Sequence, residues 1–468
     1  MRRVLGLVLA GLLTAGCTAS EPAAAPAPAS SSPAGPGGCP AERAAPDPDR
    51  PVVDLRFSLA EDRRTVTGTE TVVFTPDLPT AELVFRLVPN GPDSTARGNR
   101  LAVDAVRGPD VAGSRYEGAQ AEEPGGLHVV QLRSPLAAGE STEVALDFTL
   151  QLGGAGFERL GVAEDVSWWG SGAPLLAWEP GVGWARDPFV PLAGETAASP
   201  VADTTVTVEA PADLTVLMTG AQDEPTRPRE GRRTWTAHEP VARDVSVAVG
   251  EFVTAELDVA GVRVTTGVLP RSGRDPARLA REAGEAIERL ADRFGPFPYA
   301  SLTIPWLPEA GGGIEYPSSI LLATGSGQVL VHEVAHMWFY GMVGDSQFRD
   351  PWLDEAFASY AESVIAERPA PQVTRALAAE GDVGGSMAEF PDDRRYVTAV
   401  YAKGAAMLLT ARERAGAAAF DAALRCYADA QAWAIATPAD VGAALADLPA
   451  ALTVLQEAGA LDPEDLPR

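Results

Sequence analysis

The hydrophobic pattern of this chain changes its period once, near residue 252, and no other feature constrains the fold as much. Before that point, apolar residues such as Val53, Leu55 and Phe57 alternate with polar ones in runs that turn residues separate. A two-residue period is typical of half-buried β-strands. Beyond a last hairpin-like pair (252–257 and 262–268), apolar residues recur at helical spacing. The 468 residues exceed one ordinary core, so we expect an α+β multidomain fold, with an all-β domain of antiparallel sheets followed by a mostly α-helical domain.

The individual runs predict where strands and helices lie. In the β region, strands are predicted within 53–58, 65–71, 82–87, 141–150, 204–209, 214–219 and 244–249. The first helix is predicted over 275–294, where Gly295-Pro296 ends it, and a strand over 301–306 follows. Further helices are predicted over 329–341, 352–367, 395–414, 418–433 and 438–458.

The first 17 residues have the composition of a secretory signal. Arg2 and Arg3 precede an apolar run over 4–13, and the small residues before Cys17 complete the pattern. The run is too short to span a bilayer as a stable helix. The ending Ala-Gly-Cys resembles a bacterial lipobox, in which the cysteine is lipidated. We expect export and a lipid anchor on Cys17 at the outer face of a bacterial cell membrane, with simple secretion as the alternative.

Residues 18–50 consist mainly of Ala, Pro, Ser and Gly. Such a segment cannot bury enough apolar surface to offset its ordering entropy, so it is predicted to be a disordered tether. The resulting organisation is a signal peptide over 1–17, a tether over 18–50, a β domain over 51–252 and a second domain over 253–468.

The charge of the chain argues against one class of partner. Its formal net charge is -27 at pH 7 and 22% of its residues are charged. Phosphate contacts need clustered Lys and Arg. We therefore expect no nucleic-acid partner, and a surface kept soluble by its negative charge.

The segment that carries chemistry is His332-Glu333-Val334-Ala335-His336. Two histidines four residues apart on a helix lie on one face, one turn apart, and can direct nitrogen lone pairs at one ion. Glu333 lies on an adjacent face, from which it reaches a water bound to that ion. This is the H-E-x-x-H arrangement of zinc peptidases. The chain has four His in all, and a chance match stays open on the pentad alone.

A candidate for the third ligand is Glu355, which follows His336 with eighteen residues between them, within the segment Trp-Leu-Asp-Glu-Ala-Phe-Ala-Ser-Tyr. Here the chain resembles the gluzincin aminopeptidase family, the aminopeptidase N-like zinc metallopeptidases. It departs from the family segment at Asp354, where relatives have Asn, and at Ala356, where they have Gly. The resemblance implies a thermolysin-like catalytic domain over 253–468, preceded by a saddle-like β domain. It also implies one zinc ion per chain held by His332, His336 and Glu355, with Glu333 activating the attacking water.

A second family segment is Gly312-Gly313-Ile314-Glu315-Tyr316, which resembles G-x-M-E-N. In relatives this is an edge strand that pairs with the substrate backbone. The resemblance implies that Gly312, Gly313 and Ile314 contact the substrate and that Glu315 binds its free amino group. Tyr316 departs from the family Asn.

A third family segment is Tyr401-Ala402-Lys403-Gly404, which resembles the family Y-x-K-G helix. By resemblance the Tyr401 hydroxyl stabilises the oxyanion of the tetrahedral intermediate. Tyr396 lies near the same site in some relatives, and its role stays open. Asp350 and Asp354 are each either an acceptor for a ligand histidine N–H or a helix N-cap.

Together these segments predict a zinc-dependent peptidase, most simply an aminopeptidase that releases N-terminal residues from peptides. One departure keeps an alternative open. Relatives place Gln or Glu five residues before the arginine matching Arg186, where it helps bind the amine, whereas this chain has Gly181, with Glu179 as the nearest acid. A zinc endopeptidase or other zinc hydrolase with an incomplete amine site is the alternative, and a non-catalytic binding relative is a third.

If Cys17 carries lipid, the remaining cysteines are Cys39 and Cys426. An exported protein meets an oxidising environment, so we expect an intrachain disulfide between them. The alternative is a buried, inert Cys426 and a free Cys39.

Overall fold

The computed structural model describes residue 39, residues 42–154, 156–192 and 194, and residues 197–467. The predicted signal peptide with Cys17, and the predicted tether up to residue 38, lie outside the described residues. Within the part of the chain that is described, no helix has the length and apolarity needed to cross a membrane.

The described chain is rich in β-strands up to residue 268 and in helices after it. The strands are β1 Val52–Leu59, β2 Thr65–Phe74, β3 Thr80–Arg86, β4 Arg100–Arg107, β5 Val111–Glu117, β6 Leu127–Leu136, β7 Thr142–Gln151, β8 Leu160–Ala163, β9 Val166–Gly170, β10 Leu175–Leu176, β11 Trp178–Glu179, β12 Gly183–Trp184, β13 Ala202–Pro211, β14 Thr215–Met218, β15 Ala221–Gln222, β16 Arg232–Ala242, β17 Ser246–Gly250, β18 Val253–Val259, β19 Val262–Val268, β20 Ser301–Pro305, β21 Gly313–Tyr316 and β22 Ser319–Leu322. The α-helices are α1 Pro92–Ala96, α2 Pro276–Phe294, α3 Gly327–Ala335, α4 Trp352–Ile365, α5 Ala370–Leu377, α6 Asp393–Tyr396, α7 Gly404–Ala415, α8 Ala417–Ala430, α9 Pro438–Ala444 and α10 Pro449–Glu457. A π-helix spans Val397–Lys403, and 3₁₀ turns span Val88–Asn90, Pro270–Ser272, Met387–Glu389 and Pro463–Asp465.

The β region is built around a seven-stranded sheet with the order β15-β16-β13-β1-β2-β7-β4. Its strands show the alternation that the sequence predicted, because residues at every second position of β1 are buried. Phe57 of β1 packs edge-on against Phe148 at 5.8 Å and contacts Trp169 at 5.6 Å. Burying a side chain of this size stabilises the fold by about 2–3 kcal/mol. The predicted all-β first half is confirmed.

The helical region begins with a mixed five-stranded sheet in the order β18-β19-β20-β22-β21. Helix α2 covers β18 and β19 with an apolar face that includes Leu279, Ile287 and Leu290. The Asp275 side chain caps the helix by accepting a hydrogen bond from the Ala277 N–H at 3.0 Å. The order leaves β21 at an edge of the sheet, with β22 as its one ladder partner. The α+β fold class is therefore confirmed.

Two predicted helices are shorter than their patterns suggested. The helix predicted over 329–341 ends at Ala335, because the chain then turns back on itself with Tyr340 at φ 105°. The Gly341 N–H donates to the His336 carbonyl oxygen at 2.8 Å, which replaces the regular helical bond. The segment predicted as one helix over 438–458 is broken before Pro449, which lacks the N–H that a helix interior needs.

The helix predicted over 395–414 is continuous but not uniform. Its middle, Val397–Lys403, is wound as a π-helix between α6 and α7. Insertions of this kind occur frequently at functional sites. The Lys403 ammonium, which is buried, donates to the Gly381 carbonyl oxygen at 2.5 Å and ties the π-helix to the preceding loop.

The start of the described chain is fastened to helix α8. Cys39 and Cys426 form a disulfide, with their Cα atoms 4.9 Å apart. Beside it, the Arg43 guanidinium pairs with Asp429 at 3.0 Å, and the Ala44 N–H donates to the Asp429 carbonyl oxygen at 2.9 Å. The structure thus contains the predicted cysteine pairing.

A buried arginine joins the β region to the helical one. Arg243 donates to the carbonyl oxygens of Tyr340 at 3.0 Å, Ser199 at 3.0 Å and Ala434 at 2.6 Å. A buried guanidinium needs such partners, since an unpaired charge in a dry interior is costly. These bonds fix the turn that follows α3, and so the position of the H-E-x-x-H helix.

Candidate active site

The three family-like segments meet in one cleft of about 660 Å³ between the β region and the helices. One side of the cleft is formed by β21, α3, α4 and the π-helix. The β region forms the opposite side. Among the residues that line this cleft are His332, Glu333, Glu355, Glu315 and Tyr401.

Helix α3 brings the two histidines together. Ser326 caps it by accepting a hydrogen bond from the Val329 N–H at 3.3 Å. One turn of helix then separates His332 from His336, and their Nε2 atoms lie 3.0 Å apart. A Glu355 carboxylate oxygen from α4 lies 3.2 Å from the first of these nitrogens and 3.5 Å from the second.

This triangle fits a tetrahedral zinc ion. Zinc bonds to His nitrogen and carboxylate oxygen are about 2.0–2.2 Å long, which places ligand atoms at the corners of a tetrahedron about 3.3–3.5 Å apart. The three observed separations, 3.0, 3.2 and 3.5 Å, are close to that value. The donor set of two His and one Glu, with a fourth position open, is that of a catalytic zinc site.

The charges of the cleft also favour a cation. Burial raises the pKa of Glu333 well above its usual range, and the neighbouring charge of Glu315 adds to the effect. Burial likewise raises the pKa of Asp354 to about 7. For His336, burial alone would lower the pKa, but nearby carboxylates raise it well above its ordinary value. Burial and the mutual repulsion of the carboxylates thus both act on this site, and a divalent ion would neutralise their negative charge.

Each ligand histidine has a carboxylate behind it. Asp354 Oδ1 accepts from His336 Nδ1 at 2.5 Å, which leaves His336 Nε2 to face the ligand triangle. Of the two aspartates that the sequence offered for this role, the structure gives it to Asp354, whose other oxygen accepts from Gln347 at 3.3 Å. Behind His332, Nδ1 lies 3.8 Å from Glu362. The sequence pattern could have indicated Glu362, because it follows Glu355 by two helical turns on the same face of α4.

Glu333 is placed as a proton acceptor. It is buried, and no residue in the described part of the chain makes a hydrogen bond to its Oε2. Strand β21 passes directly over it, and a Cβ on Gly313 would lie 2.3 Å from the Glu333 Cγ. Only glycine therefore permits this close approach of the strand to the helix.

Glu315 lies on the edge strand β21, opposite Ile320 of β22. Its side chain is buried, and its Oε1 has no hydrogen-bond partner among the described residues. Glu315, His336 and Asp354 also present ligand atoms within 4.8 Å of one another. A buried carboxylate with an unpartnered oxygen, beside the ligand triangle, is suited to bind a positively charged group. Gly312, Gly313 and Ile314, which are predicted to contact the substrate, precede it on the cleft wall.

Tyr401 projects from the π-helix to the ligand triangle. Its hydroxyl donates to Glu355 Oε1 at 2.5 Å, and its ring stacks 6.0 Å from the His332 ring. Tyr396, whose role was open, is buried and packs edge-on against the Tyr401 ring at 5.6 Å. It thereby helps to hold Tyr401 in place.

The position that relatives use for a second amine ligand is not in the cleft. Gly181 is in a turn at φ 77°, and its N–H donates to Asp77. Glu179, the nearest acid in sequence, is buried in an ion pair with Arg349. Neither Gly181 nor Glu179 is therefore oriented towards Glu315.

Comparisons with known proteins agree with the geometry of the site. Residues 318–457 match the peptidase family M1 domain. The segment that carries the candidate metal ligands is therefore assigned to the M1, or gluzincin aminopeptidase, family. It is 26% identical to human aminopeptidase N over 197 residues, which are 36% of this chain and 20% of the relative. It is also 26% identical to leucine aminopeptidase 2 of Eremothecium gossypii over 274 residues, 49% of this chain and 41% of that protein. The chain thus spans about a fifth to two fifths of these curated relatives.

The fold extends over more of the chain than the sequence similarity does. The M1 zinc metallopeptidase of Deinococcus radiodurans superposes with a TM-score of 0.66 at 19% identity, covering 90% of this chain and 96% of that one. A mutant of that enzyme, solved with a Tyr-Ser-Ala substrate, matches with the same TM-score and identity over 89% and 95% of the two chains. The β region and the helical region of this chain therefore share their fold with these solved structures.

Proposed function

We propose that this chain is a zinc-dependent aminopeptidase, which hydrolyses the first peptide bond of peptides with a free N-terminus. The observation that carries the proposal is the position of Glu315, a buried carboxylate with an unpartnered oxygen beside the ligand triangle. A free α-amino group is a cation, and Glu315 offers it a charge-assisted hydrogen bond. With the amine held there, only the first peptide bond of the substrate reaches the ligand triangle.

The residues present supply each part of the hydrolysis. Zinc held by His332, His336 and Glu355 would act as a Lewis acid on the scissile carbonyl and lower the pKa of water. Glu333 takes the proton of the attacking water and passes it to the leaving nitrogen. Tyr401 donates a hydrogen bond to the oxyanion, a contribution of typically about 3 kcal/mol for a donor of this kind.

The edge strand positions the substrate backbone. The outer side of β21 carries ladder groups without a strand partner, which an extended peptide can pair with. Binding by strand addition fixes the peptide along β21 and aligns its first bond with the catalytic groups. A related M1 enzyme has been solved with a tripeptide substrate, Tyr-Ser-Ala, which supports peptides as the substrate class.

The alternative function is that of a zinc endopeptidase. It is suggested by Gly181, which has no side chain at the position where relatives have a second amine ligand. A comparison of aminoacyl amides with their N-acetylated forms decides between the two. We expect acetylation to lower kcat/KM at least tenfold, about 1.4 kcal/mol of transition-state binding. Glu315→Ala should cost more than that on free amines and little on acetylated substrates. Equal rates on both forms would defeat the aminopeptidase and favour the endopeptidase.

We also propose that the enzyme is exported and anchored by lipid on Cys17. The support is the basic start, the short apolar run and the Ala-Gly-Cys ending of the first 17 residues. Metabolic labelling with a clickable fatty acid should tag the wild-type chain and not Cys17→Ser. An unlabelled wild-type chain found in the medium would show simple secretion instead.

A further inference from the structure

One segment of the β region runs along the cleft and ends against the helical region. It comprises residues 189–192 and Gly194, and we call it the strap. It lies between β12 and β13, and its described residues form neither helix nor strand. Phe189, Val190, Leu192 and Gly194 all line the cleft. The strap therefore joins the two regions within the cleft itself.

Both ends of the strap are fixed. At the first end, the Phe189 N–H donates to the Ala119 carbonyl oxygen at 2.8 Å, and the Arg86 guanidinium lies over the Phe189 ring, 4.0 Å from its centre. A Cβ on Gly126 would lie 2.5 Å from the same ring, so the ring fills the space beside that glycine. At the second end, Leu192 is buried in the hydrophobic core of the helical region. Packing on both sides thus gives the backbone of the strap a defined position.

Gly194 brings the backbone of the strap onto the Tyr396 ring. The Leu192 carbonyl oxygen accepts a hydrogen bond from the Gly194 N–H at 2.9 Å, which fixes this approach. A Cβ at residue 194 would lie 3.0 Å from Tyr396 Cε1 and Oη and 2.9 Å from Met387 Cε. The end of the Met387 side chain can move aside, whereas Tyr396 is 1% exposed and packs against the Phe390 ring at 5.4 Å. A side chain at 194 must therefore push on a ring that is close-packed on its other sides.

The π-helix passes the position of Tyr396 on to Tyr401. Side chains three and four apart are neighbours on an α-helix, whereas the hydrogen bonds of a π-helix join residues five apart. Tyr396 and Tyr401 are five apart at the π-helix Val397–Lys403, and their rings pack edge-on with centroids 5.6 Å apart. The Tyr401 hydroxyl donates to Glu355 of the ligand triangle at 2.5 Å. A continuous series of contacts thus runs from the strap to the oxyanion donor.

We infer that Gly194 is a positioning residue, through which the strap and Tyr396 hold the Tyr401 hydroxyl where the oxyanion forms. This inference rests on the proposed function, because it takes Tyr401 as the oxyanion donor. Such a donor acts at about 2.7–3.1 Å from the oxyanion, and a misplacement of about 1 Å can lower a rate about 100-fold. The β region therefore contributes to the chemical step as well as to the wall of the cleft.

Kinetics of the zinc-loaded enzyme on leucine amide test the inference. Gly194→Val should lower kcat at least about tenfold, while KM changes less than about threefold and the zinc content stays that of the wild type. Gly194→Ala adds a single carbon, displaces the ring less and should lose less. Gly113→Val is the matched control, because it makes the same exchange on β5, outside the cleft lining, where a Cβ would meet nothing within 4 Å. That control should leave kcat unchanged.

A double-mutant cycle shows whether the effect passes through Tyr401. Tyr401→Phe has no oxyanion donor, so adding Gly194→Val to it should lower kcat further by less than about twofold. Binding supplies a readout that needs no turnover. The phosphonic acid analogue of leucine carries oxygens on a tetrahedral phosphorus, as the transition state does on carbon, and its affinity should fall at least about tenfold in Gly194→Val. In Gly113→Val its affinity should not change.

Three results would each overturn the inference: unchanged kcat in a Gly194→Val protein with the wild-type melting temperature, an equal loss of kcat in the Tyr401→Phe background, or loss of zinc. If Gly194→Val does not fold, Gly194→Ala takes its place, and wild-type kcat and analogue affinity in that variant would overturn the inference. Failure of the proposed function is separate, because it would appear as equal rates on acetylated and free substrates, and the cycle can be measured on either.

Discussion

The carboxylate behind His336 gives the sharpest test of how the protein holds its metal. Asp354 Oδ1 accepts from His336 Nδ1 at 2.5 Å, and the two side chains are only 2% and 1% exposed. Asp354→Ala leaves the buried His336 N–H with only the Phe339 carbonyl oxygen, at 3.3 Å, as an acceptor among the described residues. Loss of the hydrogen bond to a charged group costs about 1–3 kcal/mol. It also removes the constraint on the orientation of the ring. We expect the zinc dissociation constant to rise about 10–100-fold.

The assay is a competition between the metal-free protein and a chromophoric zinc chelator. Asp354→Asn is the matched control, because relatives carry Asn at this position and its amide oxygen can still accept from Nδ1. We expect this variant to lose less than about tenfold in affinity. Unchanged affinity in a folded Asp354→Ala protein would refute the reasoning. A loss in Asn as large as in Ala would show that the charge of Asp354, rather than its hydrogen bond, is what matters.

Three further predictions follow from the same structure. Glu333→Gln should retain one zinc ion by elemental analysis while losing nearly all turnover, whereas His336→Ala should lose the metal itself; zinc retained by the second variant would contradict the ligand assignment. Cys426→Ser should lower the free energy of unfolding by up to about 5 kcal/mol in denaturant titrations, because the disulfide closes a loop of nearly 390 residues; equal midpoints for oxidised wild type and variant would contradict this. Burial lowers the pKa of His128 from 6.5 to about 4. Its contribution to the free energy of unfolding is therefore complete above pH 6.5 and is lost as the pH falls towards 4. His128→Phe should make the free energy of unfolding less dependent on pH in this range, and an unchanged dependence would show that other groups set it.

Local sequence patterns predicted the metal ligands because their geometry is local. The two His on one helix turn need only helical periodicity to be recognised as a pair. Glu355 was predicted instead from the resemblance of its segment to the gluzincin aminopeptidase family. The fold class was predictable for the same reason, from one change of hydrophobic period. The early end of α3 was not, because it depends on the turn at Tyr340 and on carbonyl bonds from Arg243, a residue of the β region.

Contacts between distant segments could not be predicted from the sequence either. Arg159 stands in a stretch with no recognisable motif, and its hydrogen bond to the Tyr316 hydroxyl forms only when the β region packs on β21. The role of Tyr316 in holding that arginine requires a glycine at 170, far away in the chain. Such long-range pairs carry no periodic signal, so sequence reasoning could record Tyr316 only as a departure from the family pattern.

The most direct test of the account is the pattern of products from one unmodified peptide and its N-acetylated twin. Each peptide is incubated with the zinc-loaded enzyme, with and without chelator, and the products are followed by mass spectrometry. The account predicts a ladder of peptides shortened one residue at a time from the free N-terminus, almost none from the acetylated twin, and no products with chelator. Internal fragments appearing equally from both peptides would contradict it.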